Sequence, residues 1–225
     1  MMNQMRIGVS IALLGLMAGA AGDARADVVL YNDFGPGNTY SSGYFGMSGP
    51  LSAPGTSDTA NGFIVPGAVG TSYTLTSITL AVALISGENV LNVALMSDYN
   101  GLPGAVIESF QFTNAMSLVT PNPTFPPLEV DSTLHPVLQA GNRYWLAAFG
   151  TGDQQAVWYA NDIGALRIGA YTVSSGIWQS APSPQPAAAF CIEGDAITTP
   201  EPSTLVSACI AGLMGLGYAW LRRKV

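Results

Sequence analysis

The fold class is decided by residues 78–85, which read ITLAVALI. Large apolar side chains stand at every second position, and the residues between them are also small or apolar, apart from Thr79. Successive side chains of a β-strand point to opposite faces, so a period of two with two apolar faces is typical of a strand buried on both sides. The stretch therefore predicts one buried strand from Ile78 to Ile85.

Shorter runs of the same kind continue along the chain, and Gly or Pro separates nearly all of them. Between the two ends of the chain we find no helical period. Many short strands with this spacing favour an all-β fold, an antiparallel β-sandwich of the jelly-roll type, over a parallel sheet. Stretches rich in Gly and Pro predict loops at 35–55, 120–127 and 180–186. The other strand-like runs are 91–95, 106–112, 144–149, 156–159, 166–173 and 190–192.

The charge balance excludes one class of partner. The chain has 225 residues with 7 Lys or Arg against 14 Asp or Glu, and its isoelectric point is about 4.3. Nucleic-acid binding needs cationic side chains that neutralise phosphates, so we expect no nucleic-acid partner. Charged residues make up only 9% and the mean hydropathy is +0.33, which indicates that part of the apolar content belongs to membrane-directed segments.

The N-terminal segment has the layout of a signal peptide. A basic residue precedes an uncharged apolar run at 7–21, and Ala24 and Ala26 place small side chains at the two positions that signal peptidase reads. We therefore expect residues 1–26 to form a signal helix that directs export and is removed before Asp27. The alternative is a buried helix of the folded domain, but nothing downstream continues a helical pattern.

The C-terminal segment has the layout of a membrane anchor. Residues 205–221 carry no charge and just reach the length that a transmembrane helix needs. Arg222, Arg223 and Lys224 follow directly. Because cationic residues stay on the cytoplasmic side, we expect residues 222–225 to form a basic cytoplasmic tail and the rest of the chain to lie outside.

A short motif, Pro200-Glu201-Pro202, stands in the predicted linker 194–204 just before that span. Proline fixes φ and lacks an amide donor, so the pair favours an extended backbone that displays Glu201. The motif, the apolar helix and the basic end together resemble the PEP-CTERM sorting signal, a tail also labelled an ice-binding-protein C-terminal domain. The resemblance implies a precursor anchored in the inner membrane, processed by an exosortase and delivered to the cell surface or extracellular matrix. An ordinary anchor preceded by a turn is the alternative.

Two motifs in the middle of the chain carry a second resemblance. In residues 95–104 a strand leads into Asp98, Asn100 and Gly101, which predict a long hairpin connection whose polar side chains bond to nearby amides. In residues 138–146 a glycine turn precedes an aromatic strand. With these motifs the predicted domain 27–193 resembles the R type of the choice-of-anchor domains, which occur joined to alternative surface anchors. That family brings no established activity.

The central region shows no recognisable catalytic or metal-binding pattern. His135 is the only histidine and is expected in a surface loop, while Cys191 is expected to be a small buried side chain. Triads and zinc sites need more such groups, so we predict no catalytic residue, no cofactor and no metal. A calcium loop at Asp98 and Asn100 is the alternative to a plain turn there, but further acidic ligands are missing. The carboxylates available for a glycosidase pair, none singled out by spacing, are Glu88, Glu108, Glu129, Asp131, Asp153 and Asp162.

Aromatic residues in the second half of the domain favour binding over catalysis. Trp158, Tyr159 and Trp178 have polar neighbours in sequence and are the candidate glycan-binding residues, whereas Trp145 is expected in the core. The sequence thus predicts an exported, non-catalytic structural or interaction protein of the cell envelope or of an exopolysaccharide (biofilm) matrix. A carbohydrate-binding module is the alternative, and a glycoside hydrolase is the least favoured. The expected partners are signal peptidase, exosortase, the inner membrane and exopolysaccharide.

Overall fold

The structure, a computed structural model, describes residues 27–53, 55–167, 169–173, 176–181 and 185–197, and positions 210, 211 and 214. Among these residues, no helix has the length and hydropathy that crossing a bilayer requires. The predicted features that lie outside the described residues are the signal peptide 1–26 with Ala24 and Ala26, the motif Pro200, Glu201 and Pro202, nearly all of the span 205–221, and Arg222, Arg223 and Lys224.

Every regular element described between residues 27 and 197 is a β-strand, which confirms the all-β prediction. The strands are β1 (Val28–Asn32), β2 (Tyr44–Ser48), β3 (Ser57–Ile64), β4 (Ser72–Leu80), β5 (Val82–Ser86), β6 (Val90–Tyr99), β7 (Leu102–Thr113), β8 (Ser117–Leu118), β9 (Leu128–Asp131), β10 (Val137–Gln139), β11 (Arg143–Phe149), β12 (Gln155–Tyr159), β13 (Leu166–Arg167), β14 (Gly169–Val173), β15 (Gln179–Ser180), β16 (Gln185–Pro186) and β17 (Phe190–Ala196).

The smaller of the two main sheets has five strands. Its order is β1-β17-β4, with β9 and β10 both paired to the far side of β4 at different heights. Strand β17 continues to Ala196, which pairs with Tyr73. The predicted domain boundary at residue 193, and the start of the predicted linker 194–204, are therefore placed too early, because the end of this strand is held by backbone pairing.

The larger sheet has ten strands and is branched. Its main path is β7-β6-β11-β3-β2-β12-β5-β8, and β14 pairs with both β3 and β15. Strands β13 and β16 form a separate two-stranded pair. The described pairings are antiparallel, as predicted, except for the short parallel pair of β5 and β8.

The stretch 78–85 joins the two sheets instead of forming one strand. Leu80, at the end of β4, pairs with Phe190 in the smaller sheet, whereas Val82, at the start of β5, pairs with Trp158 in the larger one. Ala81 lies at the crossing. Its amide donates to the carbonyl of Ala189, just before β17, and its carbonyl accepts from the amide of Tyr159, at the end of β12. The burial predicted for this stretch is confirmed up to Leu84, with Thr79 half-buried, whereas Ile85 is exposed. The predicted continuity is wrong, because the chain changes sheet at Ala81.

The main hydrophobic core draws side chains from both sheets. Leu75, Leu80 and Phe190 come from the smaller sheet, and Phe63 and Trp158 come from the larger sheet. Each is 1% exposed or less. Burial of a large apolar side chain is worth about 1.5–3 kcal/mol, so contacts of this kind between the sheets hold the domain together.

Three predicted connections differ from those observed. The predicted loop 180–186 includes Ser180 at the end of β15 and all of β16. The predicted loop 35–55 contains β2, which pairs with β12 along its whole length. The predicted long hairpin connection is a two-residue turn, Asn100-Gly101, with positive φ at both positions and β7 beginning at Leu102. The local bond predicted there is present, since the Gly101 amide donates to Asp98 Oδ2 at 3.1 Å.

Candidate functional site

A cavity opens where the larger sheet branches. Strand β2 pairs with β3 at a single position, Ser48 with Ser57, while β14 pairs with β3 from Ser57 to Asn61. The space between β2 on one side and β3 with β14 on the other has a volume of about 340 Å³. We call this cavity the cleft. It is lined by Tyr44, Phe45, Gly46, Ser57, Asp58, Thr59, Ala60, Asn61, Gly169, Ala170, Tyr171, Ala181, Gln185 and Pro186.

Aromatic rings line the cleft from two strands. Tyr44, on β2, is 57% exposed, and Tyr171, on β14, is half-buried. The Tyr44 ring stands edge-on to the buried ring of Tyr159, with centroids 6.4 Å apart and planes at 89°. An edge-to-face pair of this kind favours one orientation of the two rings. Tyr159 does not line the cleft itself, but its contact positions the Tyr44 ring there.

Asp58 is the buried acid of the cleft. Its Oδ2 accepts a hydrogen bond from Thr172 Oγ1 at 2.7 Å, and its carboxylate also accepts one from the Gly150 amide. Burial raises the pKa of the Asp58 carboxyl above its ordinary value, and these two bonds lower it only in part. The carboxyl is therefore held in one orientation.

Further polar groups reach the cleft from β3 and β16. Asn61 is buried, and its Oδ1 accepts a bond from the Ala188 amide at 3.2 Å. Thr59 and Gln185 also line the cleft. The cleft thus combines hydroxyl, amide and carboxyl groups with phenol rings, and the described residues that line it include no basic side chain.

Gly46 leaves part of the cleft empty. No heavy atom lies within 4 Å of the position that a Cβ would take at this residue, and its backbone φ is in the ordinary range. The neighbouring positions of β2 carry Phe45 and Met47, which pack on or in the main core. A side chain introduced at Gly46 would therefore occupy free space without straining the strand.

The structure removes two of the three predicted glycan-binding residues from the surface. Trp158 is 0% exposed, and its Nε1 donates to the Ala189 carbonyl at 2.9 Å. Tyr159 is 1% exposed and packs against Tyr40 and Phe125. The prediction that these rings meet a glycan is wrong, because both are packed inside the protein.

Trp178, the third predicted residue, lies apart from the cleft. It is half-buried and packs edge-on against Phe149, with centroids 5.9 Å apart. Both rings flank a small cluster on the larger sheet that includes Trp145, which is buried as predicted. The three predicted rings are therefore not brought together in one site.

The Asp98 and Asn100 pair is not arranged as a cation site. Asp98 Oδ1 accepts a hydrogen bond from Trp145 Nε1 at 2.8 Å and lies 3.9 Å from Arg143 Nη1. Asp98 Oδ2 accepts a hydrogen bond from the Gly101 amide in the turn. Asn100 has a left-handed backbone, as the turn requires. In the part of the chain that the structure describes, no group of three or more His, Cys, Asp or Glu residues is placed to bind a metal.

His135, the single histidine, and Cys191 both have structural surroundings. His135 is exposed, and its Nδ1 lies 3.1 Å from the Leu75 carbonyl oxygen. Cys191 is buried, as predicted, and burial raises the pKa of its thiol to about 12, with the acids Glu193, Asp33 and Glu129 adding to the effect. A thiol with that pKa is protonated at neutral pH and is a poor nucleophile.

Among the predicted carboxylates, Glu108 has a clear structural role. It lies on β7 of the larger sheet, and its oxygens accept bonds from Ser132 Oγ at 2.7 Å, from the Thr133 amide at 2.7 Å and from the Leu134 amide at 3.0 Å. These donors belong to the loop between β9 and β10, which both pair with the smaller sheet. Glu108 therefore ties the two sheets together.

We expect Glu108→Gln to lower the free energy of unfolding by about 2 kcal/mol at neutral pH, because bonds to a charged acceptor are worth about 1.5–3 kcal/mol. Burial would raise the pKa of Glu108, but the bonds from Leu134, Ser132 and Thr133 outweigh it and hold that pKa below 4.5. This contribution is therefore present above pH 4.5 and is lost as the pH falls below it. Urea unfolding at several pH values measures it.

The control for this substitution is Glu129→Gln, at an exposed position of β9. It should leave the midpoint of unfolding unchanged. Equal losses in both variants would show that the loop bonds of Glu108 contribute nothing specific.

Comparison with known proteins adds no assignment to the cleft. No protein-family model and no curated protein matches the chain. The function of the site must therefore be inferred from the side chains that line it. These are the Tyr44 and Tyr171 rings, the buried carboxyl of Asp58 and the amides of Asn61 and Gln185.

Sequence reasoning missed most of the residues that line the cleft. Tyr44 and Gly46 stand in a glycine-rich stretch that predicts a loop, and Tyr171 is one of several aromatic residues in its half of the chain. A signal was present in β3, where the polar residues Asp58 and Asn61 share a largely buried strand with Ala60 and Phe63. Polar residues on a buried strand require partners, and that requirement points to a special environment.

Proposed function

We propose that the chain is an exported, non-catalytic interaction protein of the cell envelope or exopolysaccharide matrix, with the cleft as its ligand site. The observation that carries the proposal is the cleft, an accessible cavity lined by two tyrosine rings and fixed polar groups. We further propose that the two main sheets form a sandwich of the jelly-roll type, supported by the core that both sheets share.

The groups of the cleft favour binding over turnover. Glycoside hydrolysis uses two carboxyl groups across the bond that breaks, whereas Asp58 is the one carboxyl among the described residues that line the cleft. Asp58 is also engaged by Thr172 and Gly150. These features support a site that holds a ligand without reacting with it.

The two ends of the sequence support export and sorting. In the proposed route, signal peptidase removes residues 1–26, and the span 205–221 holds the precursor in the inner membrane with residues 222–225 in the cytoplasm. An exosortase then recognises Pro200-Glu201-Pro202 on the outer side and processes the tail. The domain reaches the surface or matrix after this step.

We expect the C-terminus of the mature protein to end near Pro200–Pro202 in cells that have an exosortase, and at Val225 in cells from which that enzyme is deleted. Intact-mass measurement of the protein from both strains tests this. Glu201→Ala should give the unprocessed mass in the normal strain, whereas Ser203→Ala, next to the motif, should not. A full tail in both strains would replace sorting by simple anchoring.

A further inference from the structure

The geometry points to the cleft as a binding site for an uncharged saccharide, held against the rings of Tyr44 and Tyr171. This inference rests on the proposed function, since it names the ligand class of the same site. A volume of about 340 Å³ is at the lower end of the range of about 300–1,000 Å³ that is usual for small-molecule sites. The cleft therefore has room for a short unit of a ligand, such as a sugar ring within a longer chain.

The aromatic rings supply the apolar part of such a site. A sugar ring has a face of C–H groups and a rim of hydroxyl groups, so it pairs with a flat aromatic surface on one side and polar atoms on the other. Tyr44 is exposed but is held by its edge-on contact with Tyr159. The backbone of Tyr171 is fixed by its pairing with Thr59 of β3 and with Gln179 of β15. A ring that is already held in place, as the Tyr44 ring is, loses little conformational freedom when a ligand arrives.

The polar groups supply the hydroxyl partners. Carboxylate and amide oxygens accept bonds from hydroxyl groups, and amide nitrogens and hydroxyls donate to them. Among the residues that line the cleft, Asp58, Thr59, Asn61 and Gln185 provide both kinds of group. Asp58 and Asn61 are already oriented by Thr172 and Ala188, so their remaining lone pairs and donors have fixed directions.

The charge of the site favours a neutral ligand. Asp58 is the ionisable acid of the cleft, and the described residues that line it carry no Lys, Arg or His. Between residues 27 and 199 the sequence has two basic residues against twelve acidic ones. A uronate, sulfate or phosphate group would meet a negative potential with no cation from the described lining to offset it. A neutral polysaccharide meets no such barrier.

The test measures binding of the intact chain, purified in a detergent without a sugar headgroup, to neutral and acidic polysaccharides. The neutral probes are dextran, a β-glucan and galactomannan, and the acidic probes are alginate and polygalacturonate. Affinity electrophoresis gives the dissociation constant from the retardation of the protein. We expect retardation by at least one neutral polysaccharide and by neither acidic one.

Four variants, two of them controls, locate the site. Gly46→Leu fills the free space of the cleft, and Tyr44→Ala removes an exposed ring; each should weaken binding about tenfold or more, which corresponds to ~1.4 kcal/mol. Tyr44→Phe keeps the ring and should retain most of the affinity. Ala105→Leu, at an exposed position of β7, is the matched control for Gly46→Leu and should bind as the unchanged protein does. Thermal unfolding of each variant shows whether the fold is kept, and Tyr44→Ala stands as the test if Gly46→Leu does not fold.

Each other outcome overturns a defined part of the inference. No retardation by any neutral polysaccharide, or retardation by acidic ones alone, excludes the neutral saccharide while leaving the export proposal to the mass measurement. Binding that Gly46→Leu and Tyr44→Ala leave unchanged places the ligand outside the cleft. Release of reducing ends from a bound polysaccharide would instead overturn the proposed non-catalytic function.

Discussion

Trp158→Ala is expected to lower the free energy of unfolding by about 3–5 kcal/mol, which is usual for removing a buried aromatic side chain. Trp158 is 0% exposed and lies in the middle of the larger sheet, where its strand pairs with both β2 and β5. Its ring packs edge-on against Phe190 of the smaller sheet, with centroids 5.7 Å apart. The substitution would leave a cavity between the sheets and remove the bond from Nε1 to the Ala189 carbonyl.

Trp178→Ala is the matched comparison, because both tryptophans have polar sequence neighbours. Trp178 packs edge-on against Phe149 and is half-buried, and a pair of this kind is worth about 0.5–1.5 kcal/mol beyond area burial. We expect a loss of about 1–2 kcal/mol from this variant, because the half-buried ring loses part of its burial as well as the pair. Urea unfolding of the intact chain, followed by circular dichroism, compares the two. If both variants lost the same small amount of unfolding free energy, the position of Trp158 in the core would be contradicted.

The sequence predicts the strands well where apolar residues alternate, but it does not predict where the chain changes sheet. In residues 78–85 the period of two is the same before and after Ala81, because both halves face the shared core. The crossing is set by the partners of each half, Phe190 for Leu80 and Trp158 for Val82. Those partners are more than seventy positions away along the chain, so no local pattern contains them.

The sequence does not predict strand β2, because Gly46 lies in it and Gly43 and Gly49 flank it. Gly in a strand usually weakens it, so the stretch around β2 predicts a loop. The structure gives these glycines tertiary roles. A Cβ at Gly49, just after the strand, would overlap the Thr151 carbonyl oxygen, whereas Gly46 faces the free space of the cleft. Close approach of two backbones and an open cavity both favour glycine, and neither is visible in a single sequence.

The candidate glycan residues were misplaced for a related reason. Polar neighbours of Trp158 and Tyr159 suggested exposure, but Asn161 is itself buried, and its side chain bonds to the backbone of Ala165 and Ala187. A polar side chain that hydrogen-bonds to the backbone can stabilise a buried segment, so its presence does not indicate exposure to solvent. Tyr159 still bears on the cleft, through the orientation of Tyr44.

The second large effect concerns pH and Asp33, a buried carboxyl outside the cleft. Asp33 is 1% exposed, its Oδ1 accepts the Phe190 amide at 2.9 Å, and its Oδ2 accepts the Tyr31 hydroxyl at 2.7 Å. Burial raises the pKa of this carboxyl from 3.8 to about 7, and the backbone bonds from Phe190 and from its own amide lower it only in part. The folded protein therefore keeps a proton that the unfolded chain has released.

The sign of the pH dependence follows from that difference. Between pH 3.8 and about 7 the folded state binds more protons than the unfolded state, so the free energy of unfolding falls as the pH rises through this window. One pKa unit corresponds to 1.36 kcal/mol, so the full effect is up to about 4 kcal/mol. The loss of the Glu108 contribution begins near pH 4.5, at the acidic end of this window, so acid and neutral pH destabilise the fold through different carboxyls.

Asp33→Asn should remove this slope, because an amide carries no charge to bury. Its oxygen can still accept the Phe190 amide, and its nitrogen can donate to the Tyr31 hydroxyl oxygen. We expect the variant to be the more stable protein at pH 7 and above, with little difference near pH 4. Urea unfolding at intervals across this range measures the slope, and Asp131→Asn, at an exposed position of β9, is the control. Parallel pH profiles for Asp33→Asn and the unchanged chain would mean that Asp33 is ionised in the folded protein, and that its bonds to Phe190 and Tyr31 offset its burial.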